Sequence, residues 1–218
     1  MTISSLKRIK TLQIFTIFLR YLIGSAFVFA SIVKIQGLRF TSDSGAGSPI
    51  DSAWHFFETM YASGLYWKFI GWGQLAAGLI LMTQRWSTFG AVLFLPIITN
   101  IFIITLSYEF AGTPLITFLM LLANLYLLIW DWNKLKFLFS NNNFDFRDDN
   151  PPFSKLNTWA FLGIFYFFLV LIMRFCSEYL VKNGRFNPFY FLLTCFGLAV
   201  VIGLILIIYE LRRTKRYK

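Results

Sequence analysis

The chain has 218 residues, of which 57% are hydrophobic and only 14% charged, against ~25% charged in an ordinary soluble domain. Lys and Arg outnumber Asp and Glu by 20 to 10, for a net charge of +10. In a soluble protein that excess would suggest a nucleic-acid partner; here the basic residues gather at the ends of long apolar runs, which excludes both a water-soluble core and nucleic acid and points to a lipid bilayer.

A helix rises ~1.5 Å per residue, so ~20 apolar residues cross a ~30 Å hydrocarbon core. Six runs approach that length, and together they predict an all-α integral membrane protein. The first, Leu12–Ile35, follows the basic Lys7, Arg8 and Lys10. Its Val28-x-Ala30 pattern resembles a signal-cleavage site, but the run is too long and carries Arg20 in its middle, so we read it as a retained span.

The outer segment that follows begins with a Ser/Gly-rich stretch and then gives a helix signal at Ser48-Pro49-Ile50-Asp51. Trp54, Phe57 and Tyr61 recur on one face. The segment near 49–63 is therefore predicted to be an amphipathic helix lying on the bundle. His55, the sole histidine, has no partner at ligand spacing and reads as an interfacial residue; no metal site and no catalytic group are predicted.

The second, third and fourth runs are Leu65–Met82, Ser87–Ser107 and Leu115–Trp130. A cytoplasmic loop is expected over 137–156, closed by Pro151-Pro152. Two further runs, Thr158–Leu180 and Phe189–Tyr209, form an extension over 157–218 that ends in a basic tail. Arg174 and Glu178 are spaced to pair along one helix. Cys176 and Cys195 are read as buried apolar side chains, with an outer-face disulfide as the alternative.

Charge sets orientation. With the amino terminus inside, 13 Lys and Arg fall on inner segments and 5 on outer ones (Lys34, Arg39, Lys68, Lys182 and Arg185), leaving Arg20 and Arg174 within spans. The positive-inside rule then places both termini in the cytoplasm.

Polar residues within spans should face the bundle interior, since a charge at mid-membrane costs ~2.5–3.5 kcal/mol on insertion scales. Arg20, Ser31 and Lys34 share one stripe of the first helix. Gln74 lies on the second, Asn100 with Thr99 on the third, and Thr117, Asn124 and Asp131 on the fourth. Counting from the cytoplasmic ends brings Arg20, Gln74, Asn100, Asn124 and Thr117 toward one level, as a polar cluster, with Asp131 the nearest counter-ion for Arg20. Such a cluster either holds the helices in register by hydrogen bonds or forms a pocket for an anionic or carbonyl-bearing ligand, such as a quinone or lipid head. Arg20 snorkelling to inner headgroups is a third outcome.

At these residues the chain resembles a DoxX-like membrane protein. The likeness rests on Arg20, Ser31-Ile32-Val33-Lys34, Tyr61-Ala62-Ser63-Gly64, Gln74, Leu95-Pro96-Ile97 to Asn100, Gly112-Thr113-Pro114, and Asn124 through Trp130-Asp131. It covers about residues 12–136. The resemblance implies a four-helix bundle, over 1–136, in a bacterial cytoplasmic (inner) membrane, extended here by two C-terminal helices. Some relatives of that type are subunits of quinone-linked oxidoreductases, and others assist assembly of membrane partners. Lacking a paired nucleophile and base, the chain reads first as a non-enzymatic accessory or assembly subunit with a membrane or redox partner. A quinone-linked oxidoreductase subunit is the alternative, and small-solute transport ranks third because only Pro96 interrupts the interior of a core span.

Overall fold

The computed structural model describes residues 6–41, 43–110, 112–136, 156–183 and 188–216. Among them no strand forms. The helices are α1 (Lys10–Ile35), α2 (Ala53–Ala62), α3 (Leu65–Met82), α4 (Ser87–Ser107), α5 (Thr113–Trp130), the single turn α6 (Trp132–Leu135), α7 (Leu156–Asn183) and α8 (Pro188–Arg216). Five of them (α1, α4, α5, α7 and α8) are long and apolar enough to cross a membrane. The remaining predicted run, the second in the chain and here α3, has 18 residues but is diluted by Lys68, Gln74 and three glycines.

Helices α1, α3, α4 and α5 pack in a closed ring, each against its sequence neighbour and α5 back against α1, with α1–α3 the most extensive pair. Small residues set that approach. A Cβ on Gly78 would lie 2.8 Å from the Gly24 carbonyl oxygen, so the two backbones touch with nothing between them. Lipid tails are as apolar as leucine, so packing detail, not escape from solvent, holds such helices together. Inside the ring, Phe27 of α1 stacks on Phe94 of α4 with centroids 3.6 Å apart and planes 16° from parallel. Ala77, Leu81, Ile98 and Leu127 fill in around them, all fully buried.

The C-terminal pair is an addition to this ring. Helix α7 packs on α1 and α3, and α8 packs on α7. The seam is aromatic: Tyr21 meets Tyr166 edge-on at 5.2 Å and donates its hydroxyl to the Trp159 carbonyl at 2.5 Å. Tyr166 in turn donates to the Ala199 carbonyl of α8 at 2.8 Å.

Three expectations are corrected or left outside the described residues. The amphipathic helix starts at Ala53, not at Ser48, because Ser52 supplies the cap: its hydroxyl accepts from the His55 amide at 3.2 Å. Cys176 and Cys195 are free thiols, so the disulfide alternative is not formed. The loop over 137–156 and the Glu178 half of the Arg174 pair lie outside the described residues and side chains; Arg174 itself places its guanidinium over the Phe29 ring at 5.7 Å.

Candidate functional site

The in-span polar residues do not gather at one level. They separate into an ion cluster at the end of the ring holding the α3–α4 turn, and a cavity at the opposite end. The depth count goes wrong in α1. That helix has 26 residues, about 39 Å at the standard rise, whereas its neighbour α3 has 18. Its first turns therefore extend past the end of α3, and Arg20 lies level with the turn, not in the middle.

There, Arg20 Nη2 donates to Asp131 Oδ2 at 2.8 Å and Nη1 to Gln84 Oε1 at 3.0 Å. Thr88 Oγ1 donates to the same carboxylate oxygen at 3.0 Å, and Lys134 Nζ stands 3.8 Å from Oδ1. The two ionic side chains are 10% and 5% exposed. Gln84 takes a left-handed φ of 59°, which aims its side chain inward from the tight turn. Gln84 and Thr88 are partners that the sequence reading missed. The one signal for them was a Thr-Gln-Arg turn shorter and more polar than its flanks. Arg20, Asp131, Gln84 and Thr88 each have a partner here, although Arg20 Nε and Gln84 Nε2 are buried without one, and the cluster fastens α1 to α5 and to the α3–α4 turn.

Between the two ends sits Asn124, fully buried, whose Nδ2 donates to the Ala91 carbonyl of α4 at 3.1 Å. Ser31 bonds back to the Val28 carbonyl of its own helix. Neither residue lines the cavity, nor does Thr99. They act as contacts between and within helices.

The cavity has a volume of about 590 Å³ and lies among α1, α3, α4 and α5, under α2 and the segments flanking it. Its walls are apolar, from residues such as Phe27, Ile70, Ile97 and Ile116, and Phe40, Phe57 and Phe110 close it above. Polar residues on its lining include Lys34, Gln74, Asn100, Thr105, Thr113 and Thr117. Thr105 and Thr117 bond to each other at 3.0 Å across α4 and α5; each hydroxyl also reaches a carbonyl of its own helix, so with one proton apiece one donates across the pair and the other to its carbonyl. Thr105 is the lining residue that the sequence stripes passed over, because it falls off the Asn100–Ser107 line.

Gln74 and Lys34 are different. Gln74 is 2% exposed, and its buried Oε1 has no hydrogen-bond partner. Lys34 is 7% exposed. Its ammonium donates to the Ala30 carbonyl at 2.9 Å and lies 5.0 and 5.1 Å from the Phe40 and Trp67 ring centroids. Among the described residues it has no carboxylate within ion-pair distance. An apolar chamber of drug-ligand size with two convergent, incompletely satisfied polar groups is the usual form of a small-molecule site.

The roof is strapped outside the cavity. Arg39 makes a forked pair with Glu58 of α2, at 2.9–3.1 Å, and covers the Tyr61 ring at 4.7 Å. The Gly45 amide also donates to Glu58. Bonding to Arg39 holds the Glu58 carboxyl below its usual range, and the same contact raises the Arg39 guanidinium. Trp67 Nε1 donates to the Leu38 carbonyl at 2.9 Å, tying the start of that strap to α3.

No protein-family model matches this chain, and no solved structure matches it. It is similar to an uncharacterized protein, YwoB, of Bacillus subtilis (strain 168), with 35% identity over 105 residues. The aligned stretch is 48% of this chain and 66% of that protein, just under two thirds of the relative's length.

Proposed function

We propose that this is a six-span inner-membrane protein with both termini cytoplasmic, whose bundle binds a lipid-like ligand and which serves as a non-enzymatic accessory or assembly subunit. The observation that carries the reading is Gln74, which lines a chamber of about 590 Å³ and whose buried amide oxygen has no partner. Leaving such a group unsatisfied costs about 1–3 kcal/mol, a cost that a bound hydroxyl or water removes. Helix α3 completes the ring in this reading, with Gln74 turned to the cavity and Lys68 exposed near its first turn. The DoxX-like pattern of the first four spans supports the same assignment, and the aromatic α7–α8 pair provides a lateral face.

Native mass spectrometry of the whole chain, released from mild detergent, tests it. The expected result is a retained amphiphile-sized mass, with partner subunits surviving in the gentlest extracts. Gly73 borders the cavity, and a Cβ there meets only Ile97 at 3.7 Å, so Gly73→Leu should fill the chamber and release the ligand. Equal retention by wild type and Gly73→Leu, or no retained amphiphile in wild type, overturns the pocket.

A quinone head would also accept from Lys34 and Asn100, so a membrane subunit of a quinone-linked oxidoreductase is the second reading. It requires quinone reduction by a co-purified donor subunit that Gln74→Ala abolishes.

A further inference from the structure

A lysine one residue from a helix end ordinarily extends outward, with its ammonium in the headgroup layer. Lys34 does the opposite. Its Nζ folds back one turn along α1 to the Ala30 carbonyl, beneath Phe40 and against Trp67, into the cavity. The position in the last turn of α1 favours a cation through the helix dipole, but that attraction is satisfied equally well by an ammonium in water. What holds the charge inside is one carbonyl and two aromatic faces, and that leaves hydrogen-bonding capacity unused on a group with three donors. A buried ammonium is stable when an anion meets it. No carboxylate of the described chain does so: Glu58 is committed to Arg39, and Asp131 to Arg20 at the far end.

Deepening the pocket reading, on which this rests, we infer that the ligand is a single-chain amphiphile whose head carries an acidic oxygen, carboxylate or phosphate, seated on Lys34. The polar and apolar parts of the cavity are arranged for such a molecule. Asn100, a lining residue that is otherwise exposed on α4, adds a neutral amide to the wall, and the Gln74 amide is available to a hydroxyl of the head. The isoleucine- and phenylalanine-lined remainder takes a chain. At about 590 Å³ the chamber is within the ~300–1,000 Å³ range of single-ligand pockets. Lys34 itself is buried, so a charge meeting it there is screened less than one in water.

The test uses the purified full chain in a nonionic detergent and a dansyl-labelled long-chain carboxylate as the fluorescent probe. Oleate, 1-oleoyl-lysophosphatidate and the neutral monooleoylglycerol and methyl oleate compete against it. Wild type should prefer both acids over both neutral amphiphiles by about tenfold or more, the worth of one charge-assisted contact. The tighter acid identifies the source, fatty acid or lysophospholipid. Lys34→Gln should bind acid and neutral competitors alike, while Lys34→Arg restores the preference. Equal binding of acids and neutral amphiphiles by wild type overturns the acidic head but leaves the pocket standing. An unchanged acid preference in Lys34→Gln overturns the role of Lys34. Probe fluorescence that no competitor changes, and that is equal in the Gly73→Leu protein, overturns the pocket as well.

Discussion

Arg20 and Asp131, 111 positions apart in the chain, meet at 2.8 Å between Nη2 and Oδ2. Through this contact the start of the ring, α1, is locked to its end, α5. Breaking one half of a buried pair leaves an uncompensated charge, so Asp131→Ala should destabilise the protein by about 3–5 kcal/mol. Replacing both residues, Arg20→Met with Asp131→Leu, should recover most of that loss. Thermal unfolding in detergent, read by circular dichroism, checks the cycle. A double-variant loss equal to the sum of the Arg20→Met and Asp131→Leu losses would mean the pair contributes nothing as a pair.

The C-terminal helices are held by close backbone approach at one glycine. A Cβ on Gly163 would lie 1.9 Å from the Met82 carbonyl oxygen and 2.9 Å from the Tyr21 ring. Backbone cannot move aside as a side chain can, so Gly163→Ala should push α7 off α1 and α3. We expect a loss of about 1–3 kcal/mol and faster protease cleavage between residues 137 and 155, with the ring itself retained. Gly197, whose Cβ meets nothing within 4 Å, serves as the control: Gly197→Ala should change neither.

Acid should loosen the roof. The Glu58 carboxyl is held below its ordinary value by Arg39 and by the Gly45 amide. A depressed carboxyl contributes stability that is complete above its unfolded value and is lost as pH falls through the folded one. Protection of the described amides over residues 38–58, with the intrinsic base-catalysed rate divided out, should therefore be constant from about pH 8 to about pH 5.5 and fall only below the ordinary carboxylate range. Glu58→Gln should remove the protection at every pH. A fall in protection near neutrality would place the strap elsewhere.

Topology hinges on α3. In a chain with Cys176→Ser and Cys195→Ser, a cysteine at Ser44 should react with an impermeant maleimide from outside, and one at Lys218 only after the membrane is opened. External labelling at Lys218 would mean that α3 does not cross and that five spans carry the chain.

Asn124 should matter little. One hydrogen bond between membrane helices is worth under ~2 kcal/mol, often ~0.6. Asn124→Leu should lower stability by no more than that and leave amphiphile binding intact, since the residue bonds to Ala91 and stays out of the cavity. A loss of probe binding in this variant would contradict the division of the polar residues into two ends.

The single cluster expected from helical stripes fails for a definable reason. Periodicity tells which side chains share a face, and it placed Arg20, Gln74, Asn100, Thr117 and Asn124 on inward faces. Height along the bundle depends on how far each helix slides past its neighbour, which is fixed by contacts such as Gly24 on Gly78 and Phe27 on Phe94. Those are pairs between distant segments, and no stretch of sequence encodes them alone. The Arg20–Asp131 partnership was legible because opposite charges in lipid have few alternatives. Gln84 and Thr88 were not, because they enter the cluster through a turn whose left-handed residue is visible only once built.

The order of apolar runs, the excess of basic residues on alternate segments and the inward polar stripes follow from composition and spacing, because a bilayer admits few ways to place a charge or an open backbone group. The tertiary structure fixed Asp131 over the headgroups as the partner of Arg20, and it alone decided that Lys34, on the same inward stripe, turns back under a roof of aromatic rings. The difference is a matter of which partner lies within reach: an aspartate for the first, and for the second none that the described chain provides.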